Sequence, residues 1–79
     1  MHQDYDPYEI KLAHEIADTL KDRDSIMLHL QYVRRYQEAF LRKTLAKVMS
    51  IDESKIKRNR AALYTFLINQ GSKYGGAGH

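Results

Sequence analysis

Apolar residues recur along this chain at three- and four-residue spacing, with polar residues falling between them in the same rhythm. Ile10, Ala13, Ile16, Ala17 and Leu20 mark one stripe, which Tyr8 and Leu12 widen. A stripe of that period is the signature of a helix that buries one face. Ahead of it stand Asp6, a good N-cap, and Pro7, which suits the first helical position. Glu9 lies three residues after the cap, where it completes a capping box. The pattern predicts a first helix over residues 7–21, ending where the stretch KDRDS brings turn-forming residues.

A second stripe starts behind a cap at Asp24 or Ser25, with Ile26, Met27, Leu30 and Val33 on its buried side and Tyr36 closing it. The same phase continues through Phe40, Leu41, Leu45 and Val48, and no glycine, proline or clear N-cap interrupts it. One helix of about 25 residues, roughly 37 Å long, satisfies the pattern. Such a rod would overhang its shorter neighbours, so the expected break lies near residues 36–38, giving helices over 25–36 and 38–49. Residues 50–54 read as a connection, with Ile51 anchored inward, Asp52 as a cap and a short helical turn over 54–57. Asn59 is the expected cap of a last helix over 59–70, in which Ala62, Leu63, Phe66 and Leu67 face inward and Gly71 supplies the stop. Residues 71–79, GSKYGGAGH, hold all four glycines and are expected to form a flexible tail. The fold expected is all-α: a bundle of three to four short helices in a single domain, residues 1–70. A helix–turn–helix is a minority reading for the last two helices, because their connection of roughly nine residues exceeds the usual three to four.

Composition bounds the picture without changing it. With 79 residues there is room for one domain, near the lower end of what folds without staples. There is no cysteine, which removes disulfides and thiolate metal sites. A hydrophobic fraction of 43% with 29% charged residues is ordinary for a folded domain. No apolar run approaches the roughly 20 residues that span a bilayer. The acidic, polar opening MHQDYDPYEI does not read as a secretory signal, so the expected setting is cytoplasmic.

Charge adds an asymmetry that the net value of +3 conceals. Residues 1–24 carry seven acids against three bases, and residues 25–79 carry ten bases against three acids. Four cations, Lys55, Lys57, Arg58 and Arg60, precede or open the last helix. Cations are mildly disfavoured at a helix N-terminus, whose dipole is already positive, by about 0.3–1 kcal/mol each when exposed. Placing four there is locally costly unless an anion is near, and a helix start with added cations suits phosphate. A second basic set comprises Arg34, Arg35, Arg42, Lys43 and Lys47. Lys43 and Lys47 share a face, and Arg42 lies four after Glu38. If these converge on residues 55–60, the combined surface would bind nucleic acid non-specifically and with a steep salt dependence. Against that stands a solvated connector, partly neutralised by Asp52 and Glu53.

Catalysis finds little footing. No cysteine nucleophile, glycine-rich phosphate loop or HExxH is present, and His2, His14, His29 and His79 lack metal-ligand spacing. Each histidine reads as a surface or boundary residue. The chain is therefore read as non-catalytic, with no cofactor and no metal. Tyr5, Tyr8, Tyr32, Tyr36 and Tyr64 offer stacking surfaces in principle, but tyrosines at helical spacing more often pack by the ring. Tyr32 and Tyr64 fall beside the apolar stripes and are expected to be partly exposed. Two function classes remain. One is a nucleic-acid-binding domain using Lys55, Lys57, Arg58 and Arg60 with Arg34, Arg42, Lys43 and Lys47. The other is a protein-interaction or self-association module, since oligomerisation is a common remedy for a small core. Neither class calls for a membrane.

Overall fold

A computed structural model describes the backbone of residues 5–74 and the side chains of residues 5–71. Among these the chain forms four α-helices and no strand: α1 (Pro7–Leu20), α2 (Ile26–Arg35), α3 (Glu38–Ser50) and α4 (Arg60–Tyr74). Single 3₁₀ turns at Arg23–Ser25 and Glu53–Lys55 lie in the first and third connections. The all-α expectation holds. Contacts divide the chain into two compact units, Met1–Glu38 and Ala39–His79.

In the first unit the capping box forms as its residues require. The Asp6 carboxylate accepts the Glu9 amide at 2.9 Å, and the Glu9 carboxylate accepts the Asp6 amide at 3.0 Å. α1 buries Leu12, Ala13, Ile16, Ala17 and Leu20, and it packs on α2, which buries Leu30, Tyr32 and Val33. Ala13 and Ala17 are fully buried, and their small side chains permit close approach of a neighbour. The expected inward stripe is narrower than drawn, because Ile10 and Tyr8 keep roughly half of their surfaces in solvent. α1 ends at Lys21, whose backbone is left-handed at φ 56° and whose amide donates to the carbonyls of Ala17 and Asp18.

Neither Asp24 nor Ser25 caps α2 through its side chain. The 3₁₀ turn does that work with backbone groups, the Ser25 amide donating to Asp22 at 3.0 Å. Met27 was expected inside and is 60% exposed. The inward position is taken instead by His29, expected at the surface or boundary and 1% exposed. Its Nε2 lies 3.0 Å from an Asp22 carboxylate oxygen, so a polar pair ties the turn to α2. A buried imidazole is tolerable because it has that partner. Tyr32, also expected to be partly exposed, is buried, with the rings of His29 and Tyr36 set edgewise against it.

The break between α2 and α3 falls where compactness placed it. Tyr36 is extended at φ −118° and ψ 157°, and Glu38 opens α3. The Tyr8 hydroxyl donates to the Glu38 carboxylate.

In the second unit α3 buries Leu41, Thr44 and Val48, the Thr44 hydroxyl being satisfied by the Phe40 carbonyl at 2.9 Å. Asp52 caps the 3₁₀ turn by accepting the Ser54 amide, and Asn59 caps α4 by accepting the Ala62 amide at 2.7 Å. The phase of α4 departs from expectation. Tyr64 and Ile68 are fully buried, while Phe66 is 58% exposed. Gly71 does not stop the helix, which runs on to Tyr74. Its role is steric: a Cβ at Gly71 would lie 2.7 Å from the Phe40 ring. Glycine here admits an aromatic ring onto the helix backbone, a use distinct from capping. The remainder of the expected tail lies outside the described residues. No helix among the described residues is long and apolar enough to cross a membrane.

Candidate nucleic-acid interface

The eight cations singled out from the sequence do not share one environment. Arg34 belongs to the first unit, and its guanidinium spans both carboxylate oxygens of Glu9, at 2.7 and 3.3 Å. The same group lies 4.2 Å over the Tyr5 ring centroid, a cation–π distance. The hydrogen bond from Arg34 holds the Glu9 carboxyl below its ordinary range, helped by the Asp6 amide and opposed by desolvation. Arg34 is thus bound into the fold of its own unit.

Arg60 is likewise drawn inward. As the first residue of α4 it turns its side chain back to α3, and one guanidinium nitrogen donates to the carbonyls of Val48 at 2.6 Å and Ile51 at 3.0 Å. Those carbonyls lie at and just beyond the end of α3, where a helix leaves acceptor capacity to be filled. A cation also suits the negative end of a helix dipole. The strain that four cations at one helix start implied is thereby reduced, because one of them serves a different helix end.

Lys55, Lys57 and Arg58 remain at the surface, and no acidic partner meets them among the described residues. They line an open concavity of about 490 Å³. Asn59 lines it too, and Ile56, Ala62, Leu63 and Phe66 form its apolar part. Local geometry explains the grouping. The 3₁₀ turn and the extended backbone at Ile56 carry residues 55–58 past the start of α4. Ala62, Leu63 and Phe66 then follow at one-turn spacing on the helix. Lys43 and Lys47, one turn apart on α3, and Arg42 are also exposed.

The result is a set of three fixed-sign charges beside an exposed phenyl ring, with the capped start of α4 between them. Such a surface can hold an anion by charge and a flat or apolar group by contact. Among the described residues no group of three or more histidines, cysteines or carboxylates is placed to hold a metal ion. Phe66 is the residue that sequence reasoning missed. Its assignment to the inner face followed from an α4 that is apolar on nearly every side, so that spacing alone does not fix which side turns in.

Charge by unit sharpens the picture. Residues 39–79 carry eight bases against two acids, and residues 1–38 carry five bases against eight acids. Comparison with protein-family models, with curated proteins and with solved structures found no match.

Proposed function

We propose that this chain is a non-catalytic helical module that binds nucleic acid through the concave face of residues 55–66, in a reducing cytoplasmic setting that suits its lack of cysteine. The observation that carries the reading is the convergence of Lys55, Lys57 and Arg58 on one face without acidic partners among the described residues. Uncompensated cations on one face recruit a polyanion by releasing its counterions, and they do so without regard to base sequence. Lys43, Lys47 and Arg42 add to the positive field of the same unit. Arg34 and Arg60 stand outside the interface in this reading, since carboxylate, ring and carbonyl contacts already hold them.

Titration of fluorescent DNA at 50 and 200 mM salt tests the proposal. Replacing Lys55, Lys57 and Arg58 together with alanine should weaken binding to all sequences alike. It should also lower the slope of log affinity against log salt by about 2–3. The absence of binding tighter than millimolar at low salt overturns the reading.

A second reading rests on the apolar part of the same face. Ile56, Leu63 and Phe66 offer contact area that phosphates do not use, and this favours an acidic, apolar protein segment, or another copy of this chain through its acidic first unit. Sedimentation at two salt concentrations separates that case: a monomer at both speaks against electrostatic self-pairing.

A further inference from the structure

We infer that the nucleic acid taken by this face is single-stranded, with one base stacked on the Phe66 ring while Lys55, Lys57 and Arg58 hold the flanking phosphates. The inference rests on the nucleic-acid reading above and names the substrate class of that same site. Its starting point is an exposure that folding does not require. α4 already buries Tyr64 and Ile68, yet Phe66 between them keeps 58% of its surface in water. A polar residue at that position would serve the helix equally well. Single exposed apolar residues are common on proteins. What distinguishes this one is its place, on the same concave surface as the three cations and beside the half-buried Ala62 and Leu63.

A duplex cannot use that arrangement. It presents phosphates outward and keeps its base faces stacked within, so an apolar floor beside the cations would meet only sugar and charged phosphate. An unpaired strand presents π-faces and phosphates in alternation, which matches one exposed ring on the same surface as a group of point charges. Stacking accepts every base, so the expected sequence preference is slight. An acidic amphipathic peptide is the lesser match. Helix-in-groove recognition uses several anchors along the groove, and here one side chain is prominently exposed while Ile56, Ala62 and Leu63 are half-buried. The excess of eight bases over two acids in residues 39–79 suits a chain of regularly repeated charge.

The test is fluorescence anisotropy on the full chain with three probes at matched salt: a 15-nucleotide oligo(dT), its dA·dT duplex, and a peptide rich in Glu and Leu. Tighter binding of the single strand is expected. Phe66→Ala should weaken it roughly 5- to 100-fold, a range that follows from stacking energies measured per base. Phe66→Trp should retain the affinity, and neither substitution should change the salt slope. Circular dichroism on each variant confirms an intact fold, which an exposed position readily keeps. Equal affinity for strand and duplex, unchanged by Phe66→Ala while the Lys55, Lys57 and Arg58 triple variant loses both, overturns the single-strand inference and leaves the basic-face reading standing. Failure of both nucleic acids, with Phe66-dependent binding of the peptide, overturns both.

Discussion

In the first unit, Met1–Glu38, the exposed Arg34 lies between the Glu9 carboxylate and the Tyr5 ring, Arg23 bonds Asp18 at 2.5 Å, and Arg35 lies over Tyr36. In the second unit, Ala39–His79, Lys55, Lys57 and Arg58 line a concave surface and make no ion pair among the described residues. The arginines of the first unit are absorbed into its local structure, whereas this cluster of the second is left outward. The number of cations in a chain therefore says little about binding until each has been traced to its partner. Surface ion pairs stabilise only modestly, and the cations worth following are those whose charge the fold does not match.

Arg60 is an exception within the second unit, and it offers the largest test of the comparison. Its guanidinium satisfies the carbonyls of Val48 and Ile51, so Arg60→Ala should destabilise the chain by about 2–3 kcal/mol, in the range of hydrogen bonds that involve a charged group. Urea denaturation would measure the loss, and the affinity of the remaining folded protein for DNA should stay unchanged. Single alanine substitutions of Lys57 or Arg58 should do the reverse, leaving stability within about 0.5 kcal/mol and weakening binding. Arg60→Ala that leaves stability intact and lowers the salt slope would place Arg60 with the outward set and erase the distinction.

The units also differ in how helices approach closely. The first uses buried Ala13 and Ala17, whereas the second sets Gly71 against the Phe40 ring. A Cβ at Gly71 would stand 2.7 Å from Phe40 Cζ, so Gly71→Ala trades a clash against a helix-propensity gain of about 1 kcal/mol. In a Phe40→Ala background the clash is gone, and the same substitution should stabilise by about 1 kcal/mol. A double-mutant cycle read by thermal or urea denaturation should thus show coupling between the two positions. Additivity would mean that the ring does not rest on that glycine.

These contrasts mark what the sequence could reveal. Asp6, Pro7 and Glu9 announced the first helix, Asn59 the last and Asp52 the turn between, because caps depend on residues two or three apart. The break at residues 36–38 followed from a global demand for short helices. The rotation of α4 was hidden, since Ala61, Ala62, Leu63, Tyr64, Phe66, Leu67 and Ile68 place apolar groups around most of the helix. Only packing decides that Tyr64 and Ile68 turn in while Phe66 turns out. The burial of His29 depends on Asp22, seven residues away across a turn, and the inward path of Arg60 depends on carbonyls nine and twelve residues earlier. Of the candidate site, the cations at 55, 57 and 58 were legible as a cluster. The ring beside them was not, because exposure belongs to tertiary structure.

The smallest expected effect concerns acid. Arg34 and the Asp6 amide hold the Glu9 carboxyl below its ordinary range, and the hydrogen bond from Arg23 lowers Asp18 in the same way. A carboxyl whose pKa is depressed on folding contributes stability that is fully present above the unfolded-state value, near pH 4, and is lost as pH falls through the lower folded-state value. The first unit should therefore lose stability on acidification below about pH 4 by these two groups. Glu9→Gln should flatten that acid limb, and Glu9→Gln combined with Asp18→Asn should flatten it further. Alanine at Lys55, Lys57 and Arg58 should leave the limb unchanged, because those cations make no ion pair among the described residues. Denaturation midpoints between pH 3 and 7 decide the matter: an acid limb that responds to the basic-face substitutions would show that these cations, too, are paired within the fold.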